Sequence, residues 1–276
     1  MSQNRHPIIT IITVVYNCKE GLEKTIKSII DQTYPYIEYI VIDGNSNDGT
    51  IDIIKKYQNK ITYWISEPDE GIYDAMNKGI RLSTGDWINF MNAGDRFYNR
   101  NTLSSLFIPV PKPSSEIIYG DTEFIYTFGK YIRKPASLTY LKESMIFCHQ
   151  SSFVRTYLLK KREFNTKYKI CADYDFFLFC LREGRIFQYI PSTIAIFDAR
   201  EGISSSNRIA REKEFGIISE REQTTEWKIK YFNFIIYHYL KKSAKHLLPK
   251  ELILKIKRWN FKRITKTINY PHEHKH

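Results

Sequence analysis

The sequence is poor in cysteine, and its cysteines are scattered. Among 276 residues there are four, Cys18, Cys148, Cys171 and Cys180, and no two of them form a C-x-x-C pair. This spacing argues against a zinc-binding quartet and against a disulfide-stapled secreted scaffold. Scattered cysteines are typical of proteins in a reducing cytoplasm.

Long apolar runs are also missing. The run Ile8–Val15 is followed at once by polar residues and lacks the strong basic leader and the small-residue cleavage site of a signal peptide. The longest late run, Phe232–Leu240, is shorter than the roughly 18 apolar residues that a membrane span needs. We therefore expect neither a signal peptide nor a transmembrane helix.

Glycine-rich phosphate-binding motifs are absent. The chain contains neither G-x-G-x-x-G nor G-x-x-x-x-G-K-[ST], which disfavours a Rossmann dehydrogenase and a P-loop enzyme. The glycine- and arginine-rich loop of a nucleotidyltransferase is missing near the first predicted strand. If a diphosphate binds, a metal must help to neutralise it, and carboxylate ligands would select Mn²⁺ or Mg²⁺.

What the chain does have is positive charge, concentrated at one end. Residues 226–276 contain 13 Lys and Arg against three Glu, which accounts for +10 of the formal net charge of +12. Aromatic and aliphatic residues from Trp227 to Ile268 are interleaved with these bases, a pattern that predicts amphipathic helices. We expect this tail to contact an anionic membrane surface; a packed helix pair with a solvated basic side is the alternative. No nucleic-acid-binding motif accompanies the charge, so nucleic acid is not an expected partner.

The first 90 residues alternate between strand-like and helix-like patterns, which predicts a mostly parallel sheet with helical crossovers. The predicted strands are Ile8–Val15, Tyr39–Ile42, Ile61–Ile65 and Asp86–Met91, and the predicted helices are Glu20–Asp31, Thr50–Gln58 and Gly71–Leu82. After Asp95 the rhythm changes. The later predictions are a helix at Thr102–Phe107, antiparallel strands at Ile117–Tyr119 and Glu123–Tyr126 with a hairpin at Gly129, a helix at Asp173–Arg182, a strand over Gln188–Phe197, and helices beyond Ser204.

Polar residues follow every strand of the predicted parallel part, where ligands of open α/β sheets bind. Asp43 would accept hydrogen bonds from a ribose or a base, unless it is only a turn residue ahead of Gly44. Asp48 precedes a helix and is better explained as its N-cap. Asp95 is the leading metal ligand, with Asn92 as a possible carbonyl ligand.

Two further segments are dense in groups that could do chemistry. On the third predicted helix Asp74, Asn77 and Lys78 share one face, where Lys78 would meet a phosphate unless the face is merely solvated. Asp173 and Asp175 are candidate general bases for an acceptor hydroxyl, although Asp173 near a helix start is equally explained as a cap.

Together these segments resemble the family-2 glycosyltransferases of the GT-A fold, especially those that build bacterial capsule, exopolysaccharide or lipopolysaccharide. The likeness runs from about Pro7 to Ser206 and rests on the order and spacing of the motifs. The segments that carry it are Ile11–Asn17, Ile42–Thr50, Glu67–Gly79, Gly85–Asp95, His149-Gln150 and Asp173-Tyr174-Asp175.

The resemblance implies a fold and a domain arrangement. It predicts a GT-A domain over residues 1–206, with a Rossmann-like, mostly parallel central sheet flanked by helices. A helical, basic C-terminal extension over residues 207–276 would follow.

It also implies roles for residues on the donor side. Thr13, Tyr16 and Asp43 would line the nucleotide base and ribose, with Asn17 beside them. The residues expected to face the donor from the third helix are Asp74, Asn77 and Lys78.

Further roles follow for the metal and the sugar. The segment from Asn92 to Asp95 stands where the family has its metal-binding D-x-D, with Asp95 as the ligand for Mn²⁺ or Mg²⁺. Asp173 would be the base of an inverting enzyme, and His149 and Gln150 would border the acceptor or the donor sugar. The family usually has two or three acids at the metal site, whereas this chain has one; we still expect activity to depend on a metal.

The sequence therefore predicts an inverting glycosyltransferase that moves a sugar from a nucleotide diphosphate donor, UDP being the expected nucleotide, to a glycan or a lipid-linked oligosaccharide. It would work in the cytoplasm, peripherally on the inner face of the cell membrane. The alternative is a non-catalytic nucleotide-sugar-binding module with a degenerate metal site.

Overall fold

One nine-stranded sheet with helices on both faces organises the chain. The computed structural model describes residues 6–200, 207–247 and 249–269. The strands are β1 (Ile9–Val15), β2 (Ile37–Asp43), β3 (Tyr63–Ser66), β4 (Trp87–Phe90), β5 (Arg96–Phe97), β6 (Ile117–Tyr126), β7 (Gly129–Arg133), β8 (Ser152–Arg155) and β9 (Phe187–Asp198). The helices are α1 (Lys19–Ile30), α2 (Thr50–Lys56), α3 (Ile72–Leu82), α4 (Thr102–Phe107), α5 (Thr156–Lys161), α6 (Ala172–Arg182), α7 (Arg208–Ile218), α8 (Thr225–Leu247) and α9 (Lys250–Asn269). Short 3-10 turns lie at Gln58–Lys60, Leu138–Lys142 and His149–Ser151.

The strand directions confirm the predicted mostly parallel sheet. The strand order is β3-β2-β1-β4-β8-β6-β9-β5, with β7 paired to β6. The pairs β1–β2, β1–β4, β2–β3 and β6–β9 are parallel, and β8 runs antiparallel to β4 and to β6. Consequently β1 to β4, β6 and β9 all point the same way, and their carboxyl ends share one edge.

The central strand β1 shows why the sheet is buried on both faces. All seven of its residues are buried, as expected for a parallel strand covered by helices. Ile9, Ile11 and Val15 face the core layer that contains α1. Ile12 and Val14 face the opposite layer, which contains α3 and α6.

One predicted break in the sheet is wrong. The separate strands expected at Ile117–Tyr119 and Glu123–Tyr126 are one continuous strand, β6, and its hairpin partner is β7. Gly120 is not a turn residue. A β-carbon added there would lie 2.6 Å from the main-chain oxygen of Ser192, so glycine permits β9 to approach β6 closely beside an irregularity in their register.

The first helix of the predicted extension is packed into the α/β core. Ile218 of α7 is buried in the core layer that contains α6, and the Phe215 ring meets the Tyr174 ring edge-on, with centroids 4.9 Å apart. Residues 201–206, which end the predicted GT-A domain, lie outside the described residues. Among those that are described, α7 belongs structurally with the residues before it.

The last two helices are attached through a few aromatic side chains. Trp227 of α8 covers Gly216, where an added β-carbon would lie 2.2 Å from the indole. Phe261 of α9 packs against Tyr126 and Tyr131 of the β6–β7 hairpin. Within the described residues, no helix combines the length and apolarity required to cross a bilayer.

Gly79 tests how tightly α3 is packed on the sheet. In Gly79→Ala the new β-carbon would lie 2.5 Å from Cγ2 of the buried Ile12. Overpacking costs about 1–3 kcal/mol, which outweighs the gain of about 1 kcal/mol from helix propensity. We expect urea denaturation to show a net loss in the free energy of unfolding. Because Ile12→Ala opens space at the contact, the double variant should be more stable than the sum of the two single losses; full additivity would contradict this packing.

Candidate active site

The predicted strand-end residues converge on one edge of the sheet. The loops after β1 and β2 are joined by two hydrogen bonds: the Asn17 main-chain N–H donates to Ser46 Oγ (2.8 Å), and the Asn47 N–H donates to Asn17 Oδ1 (2.9 Å). The Ala93 N–H donates to the Val14 carbonyl (3.2 Å) and joins the loop after β4 to β1. Asn17 therefore holds two loops of the edge together.

Asp43 is a buried carboxylate with one oxygen left over. Its Oδ2 accepts hydrogen bonds from the Ser46 N–H (3.0 Å) and the Ser66 hydroxyl (2.6 Å). Its Oδ1 is buried and has no hydrogen-bond partner among the described residues. Tyr16 lies beside it: a β-carbon added to Gly44 would be 3.3 Å from Tyr16 Cδ2, and 68% of Tyr16 is exposed.

Thr13 and Asn77 are occupied by structural contacts. The fully buried Thr13 hydroxyl donates to the Met91 carbonyl (2.8 Å) and accepts from the Tyr39 hydroxyl (3.1 Å). The Asn77 amide donates to the Phe164 carbonyl (2.9 Å) and accepts from the Phe164 N–H (2.9 Å). These contacts satisfy both side chains without a ligand, which differs from the donor-lining roles that the resemblance implied.

Lys78 faces carboxylates in the structure. Its ammonium lies 2.8 Å from Glu67, 2.7 Å from Asp69 and 3.7 Å from Asp74. Burial lowers the Lys78 pKa, but the hydrogen bonds to Asp69 and Glu67 outweigh that effect and raise it. Asp74 also accepts the Glu70 N–H at the start of α3 (3.1 Å). A phosphate at Lys78 would therefore have to displace these acids.

The predicted N-cap role of Asp48 is wrong, because Gly49 is the N-cap residue of α2. Asp48 lies one residue earlier and binds the helix start from there. Its Oδ1 accepts the N–H of Thr50, the first residue of α2, at 3.0 Å, and its Oδ2 accepts the Lys19 N–H at 3.1 Å. It ties the start of α2 to the start of α1.

Asp173 lies at the centre of a hydrogen-bond network. Its Oδ2 is 3.0 Å from His149 Nδ1, and its Oδ1 accepts the Tyr73 hydroxyl (2.9 Å) and the Tyr174 N–H (2.9 Å). His149 Nε2 is in turn 3.2 Å from the Asn92 amide nitrogen. The network thus joins the start of α6 to the loop after β4.

Asp175, the other candidate base, is bound to an arginine outside this network. Its carboxylate forms an ion pair with Arg162 at 2.8 Å. Burial raises the pKa of the Asp175 carboxyl, and Arg162 opposes that rise. Of the two candidates left open by the sequence, Asp173 is the one that is joined to the strand-end residues.

Asp95 lies deep in the loop after β4. Its Oδ2 accepts a hydrogen bond from the Gln150 amide (2.7 Å), and its main-chain N–H donates to the Asn92 carbonyl (2.9 Å). Burial raises the pKa of the Asp95 carboxyl to about 6, although Gln150 and nearby His149 lower it. The Asn92 Oδ1 atom is buried and has no hydrogen-bond partner among the described residues.

Two participants were missed by sequence reasoning. Asp198 lies close enough to Asp95 to influence the Asp95 pKa: its main-chain N–H lowers that pKa and its charge raises it, while the Asp198 carboxylate is paired with Arg200. Asp198 ends β9, which is parallel to β6. Ligands bind beyond the carboxyl ends of parallel strands, so Asp198 would have been predicted as a site residue if the direction of β9 had been known. The sequence gives no comparable indication for Tyr73, because a tyrosine early in an amphipathic helix is normally predicted to be a core residue.

A depression of about 510 Å³ lies at the opposite edge of the sheet. Arg155 in its lining stacks on Trp87, with the guanidinium 4.1 Å from the ring centroid. Glu116 in its lining is bound by Arg185 and Tyr157. Glu116 and Arg155 are thus engaged within the fold, and the convergent polar residues lie at the other edge.

The sequence is similar to those of known proteins. Residues 10–182 match the family model for glycosyl transferase family 2. The PGL/p-HBAD biosynthesis glycosyltransferase of Mycobacterium tuberculosis is 30% identical over 207 residues, which cover 72% of this chain and 80% of that protein.

Solved structures share the fold. TarS 1–349 from S. aureus in complex with UDP-GlcNAc superposes with a TM-score of 0.62 at 18% identity, covering 76% of this chain and 66% of that chain. The mannosyltransferase PcManGT from Pyrobaculum calidifontis, in complex with GDP-Man and Mn²⁺, gives 0.61 at 17% identity, covering 92% and 84%. The chain spans 39% of the longer TarS chain.

The family model covers well over half of the sequence, and the solved structures confirm the GT-A fold that the motifs predicted. The chain belongs to glycosyl transferase family 2, the class of enzyme expected from its sequence.

Proposed function

We propose that the chain transfers a sugar from a UDP-sugar to a glycan or lipid-linked acceptor, with inversion at the anomeric carbon, in the synthesis of a bacterial surface polysaccharide. The observation that carries the proposal is the network in which Tyr73 and His149 hold the Asp173 carboxylate. The relative from M. tuberculosis is named for the biosynthesis of PGL and p-HBAD, and TarS was solved with UDP-GlcNAc.

Asp43 and Tyr16 are the proposed nucleotide contacts. A buried carboxylate oxygen without a donor is costly, and the Asp43 Oδ1 atom is of this kind among the described residues. A ribose hydroxyl or a base N–H would supply the missing hydrogen-bond donor when the nucleotide binds. The exposed Tyr16 ring offers an aromatic face beside it.

Asp173 is the proposed general base. A carboxylate oxygen accepts about two hydrogen bonds; Oδ1 has both, whereas Oδ2 has only His149 among the described residues. The open position on Oδ2 would receive the acceptor hydroxyl proton while the acceptor oxygen bonds to the anomeric carbon. The bond from that carbon to the phosphate oxygen breaks on the opposite face, and the nucleotide diphosphate leaves.

The residues present fit a divalent cation. The Asp95 carboxylate and the buried Asn92 Oδ1 are oxygen ligands of the kind that Mg²⁺ and Mn²⁺ prefer, and the Asp198 carboxylate is close by. Mg²⁺ is commonly held by one or two carboxylates together with substrate phosphates, so a single acid in the loop is compatible with binding. The cation would neutralise charge that develops on the leaving diphosphate.

The last two helices are proposed to lie on the inner face of the cell membrane. Ile229, Phe232, Ile236 and Leu240 of α8 are 42–64% exposed and follow one another at helical spacing. Leu252, Ile256 and Trp259 form a similar exposed row on α9, where Lys255, Arg258 and Arg263 are also exposed. Apolar rows beside basic side chains match an anionic headgroup layer.

Asp173→Asn tests the base. The variant should lose about 10²–10⁴-fold in turnover, measured as UDP released from a UDP-sugar, because the amide cannot accept the hydroxyl proton. The rise in melting temperature caused by the UDP-sugar should be unchanged, since donor binding is retained. Asp175→Asn, in the same segment, is the control and should stay near wild-type turnover. Full turnover by Asp173→Asn would eliminate Asp173 as the base.

Asp95→Asn tests the metal site. Mn²⁺ is titrated in the presence of UDP and its binding is monitored by electron paramagnetic resonance. The affinity for Mn²⁺ should be lower by about 10- to 100-fold or more, because loss of a residue that only hydrogen-bonds to a metal ligand already costs that much. UDP binding in EDTA should be unaffected. Asp121→Asn replaces another carboxyl whose pKa is raised by burial and should bind Mn²⁺ normally. Unaltered Mn²⁺ affinity in Asp95→Asn would refute the assignment.

Absence of nucleotide-sugar turnover in the wild type, with binding intact, would favour the non-catalytic module.

Replacing Phe232 and Leu240 together by Gln tests the membrane contact without changing charge. Burial of each side chain stabilises contact by about 1.5–3 kcal/mol, so flotation with vesicles containing phosphatidylglycerol should show affinity lower by at least about tenfold. Tyr63→Gln with Tyr140→Gln removes two rings outside the tail that are 44% and 57% exposed and should have no effect. Equal flotation of all three proteins would argue against these helices as the contact.

A further inference from the structure

Glu214 of α7 accepts three main-chain hydrogen bonds with one carboxylate. Oε1 accepts the N–H of Lys169 (2.9 Å), and Oε2 accepts the N–H groups of Ile170 (3.0 Å) and Cys171 (2.8 Å). Hydrogen bonds to an ionised acceptor are stronger than those between neutral groups. One side chain thus fixes the main chain of three consecutive residues, across a sequence separation of more than 40 residues.

The segment that Glu214 holds leads directly into the proposed base. Cys171 is the N-cap residue of α6, its own side chain makes no capping hydrogen bond, and Asp173 lies in the first turn of that helix. The single proton of the Tyr73 hydroxyl is shared between two acceptors, the Ile170 carbonyl (2.7 Å) and Asp173 Oδ1 (2.9 Å). The position of residues 169–171 therefore sets both the start of α6 and the placement of the tyrosine that binds the base.

The negative charge of Glu214 also suits its place. The first N–H groups of a helix have no partner within the helix, and a carboxylate is favourable at that end of the helix dipole. Of the three donors, the Cys171 N–H belongs to the N-cap residue of α6, so Glu214 satisfies one donor at the start of α6 from outside that helix.

We infer that Glu214 is a positioning residue for Asp173, so that α7 completes the active site. The inference rests on the proposed role of Asp173 as the general base. Glu214 touches neither the base nor a substrate; it acts by holding residues 169–171 in the conformation that aims the Asp173 carboxylate.

The attachment of α7 does not depend on Glu214 alone. Phe215 packs against Tyr174, and Ile218 is buried in the core. Removing the Glu214 charge should therefore leave α7 packed on the core and change mainly the main-chain conformation of residues 169–171. A variant at Glu214 is thus expected to fold.

Glu214→Gln is the test, because the amide nitrogen of Gln cannot accept a hydrogen bond and at least one of the three N–H groups loses its partner. With UDP-GlcNAc, or whichever of UDP-glucose, UDP-galactose and UDP-GlcNAc stabilises the wild type most, kcat for UDP release should fall by about 10- to 100-fold. KM for the donor should change little. Glu212→Gln, on the same helix with its carboxylate paired to Arg211, is the matched control and should retain wild-type kcat.

A double variant distinguishes positioning from general loosening. If Glu214 acts through Asp173, Glu214→Gln should cause almost no further loss in an Asp173→Asn background. Multiplicative losses would overturn the inference, as would a normal kcat in Glu214→Gln accompanied by faster amide hydrogen exchange at residues 169–171. Failure of the proposed function gives a different result, because Asp173→Asn would then keep full turnover whatever Glu214 does.

Discussion

The site depends on the parallel pairing of β1 between β2 and β4. Both faces of β1 are buried beneath helices, so the polar residues of this region are excluded from the sheet and collect in the loops at its ends. Because the paired strands run in one direction, the loops carrying Asp43 and Asp95 emerge at one edge. The edge thereby gathers residues that are more than 50 positions apart in sequence.

The charge at that edge is mainly negative. Lys78 is surrounded by Glu67, Asp69 and Asp74, so its charge is already matched by neighbouring carboxylates. Burial raises the pKa of Asp95 to about 6, because it disfavours the charged form of the carboxyl. A nucleotide diphosphate would add further negative charge, and this is the physical reason to expect a divalent cation at a site with so few protein ligands.

The chain beyond the sheet does two different things. The helix α7 packs into the core and binds the main chain ahead of Asp173 through Glu214. The helices α8 and α9 are attached through Trp227 and Phe261 and leave apolar rows exposed. In our proposals, catalytic geometry and surface attachment thus belong to successive helices, although the sequence presents the whole stretch as one basic, helical extension.

The sequence by itself determined the parallel α/β sheet, its first four strands and the family, because continuous apolar runs and strand-end polar residues are local patterns. It also placed Asp43, Asp95, Asp173 and His149 among the site residues that the structure brings to one edge or one network. It could not exclude Thr13 and Asn77, whose partners Met91, Tyr39 and Phe164 come from distant segments. The resemblance had already favoured Asp173 over Asp175; the tertiary structure showed that Asp175 is paired with Arg162 and added Tyr73, Asp198 and Glu214. Hydrogen bonds and ion pairs between residues far apart in sequence produce no periodic pattern or fixed spacing in the sequence. They can therefore be identified only from the folded structure.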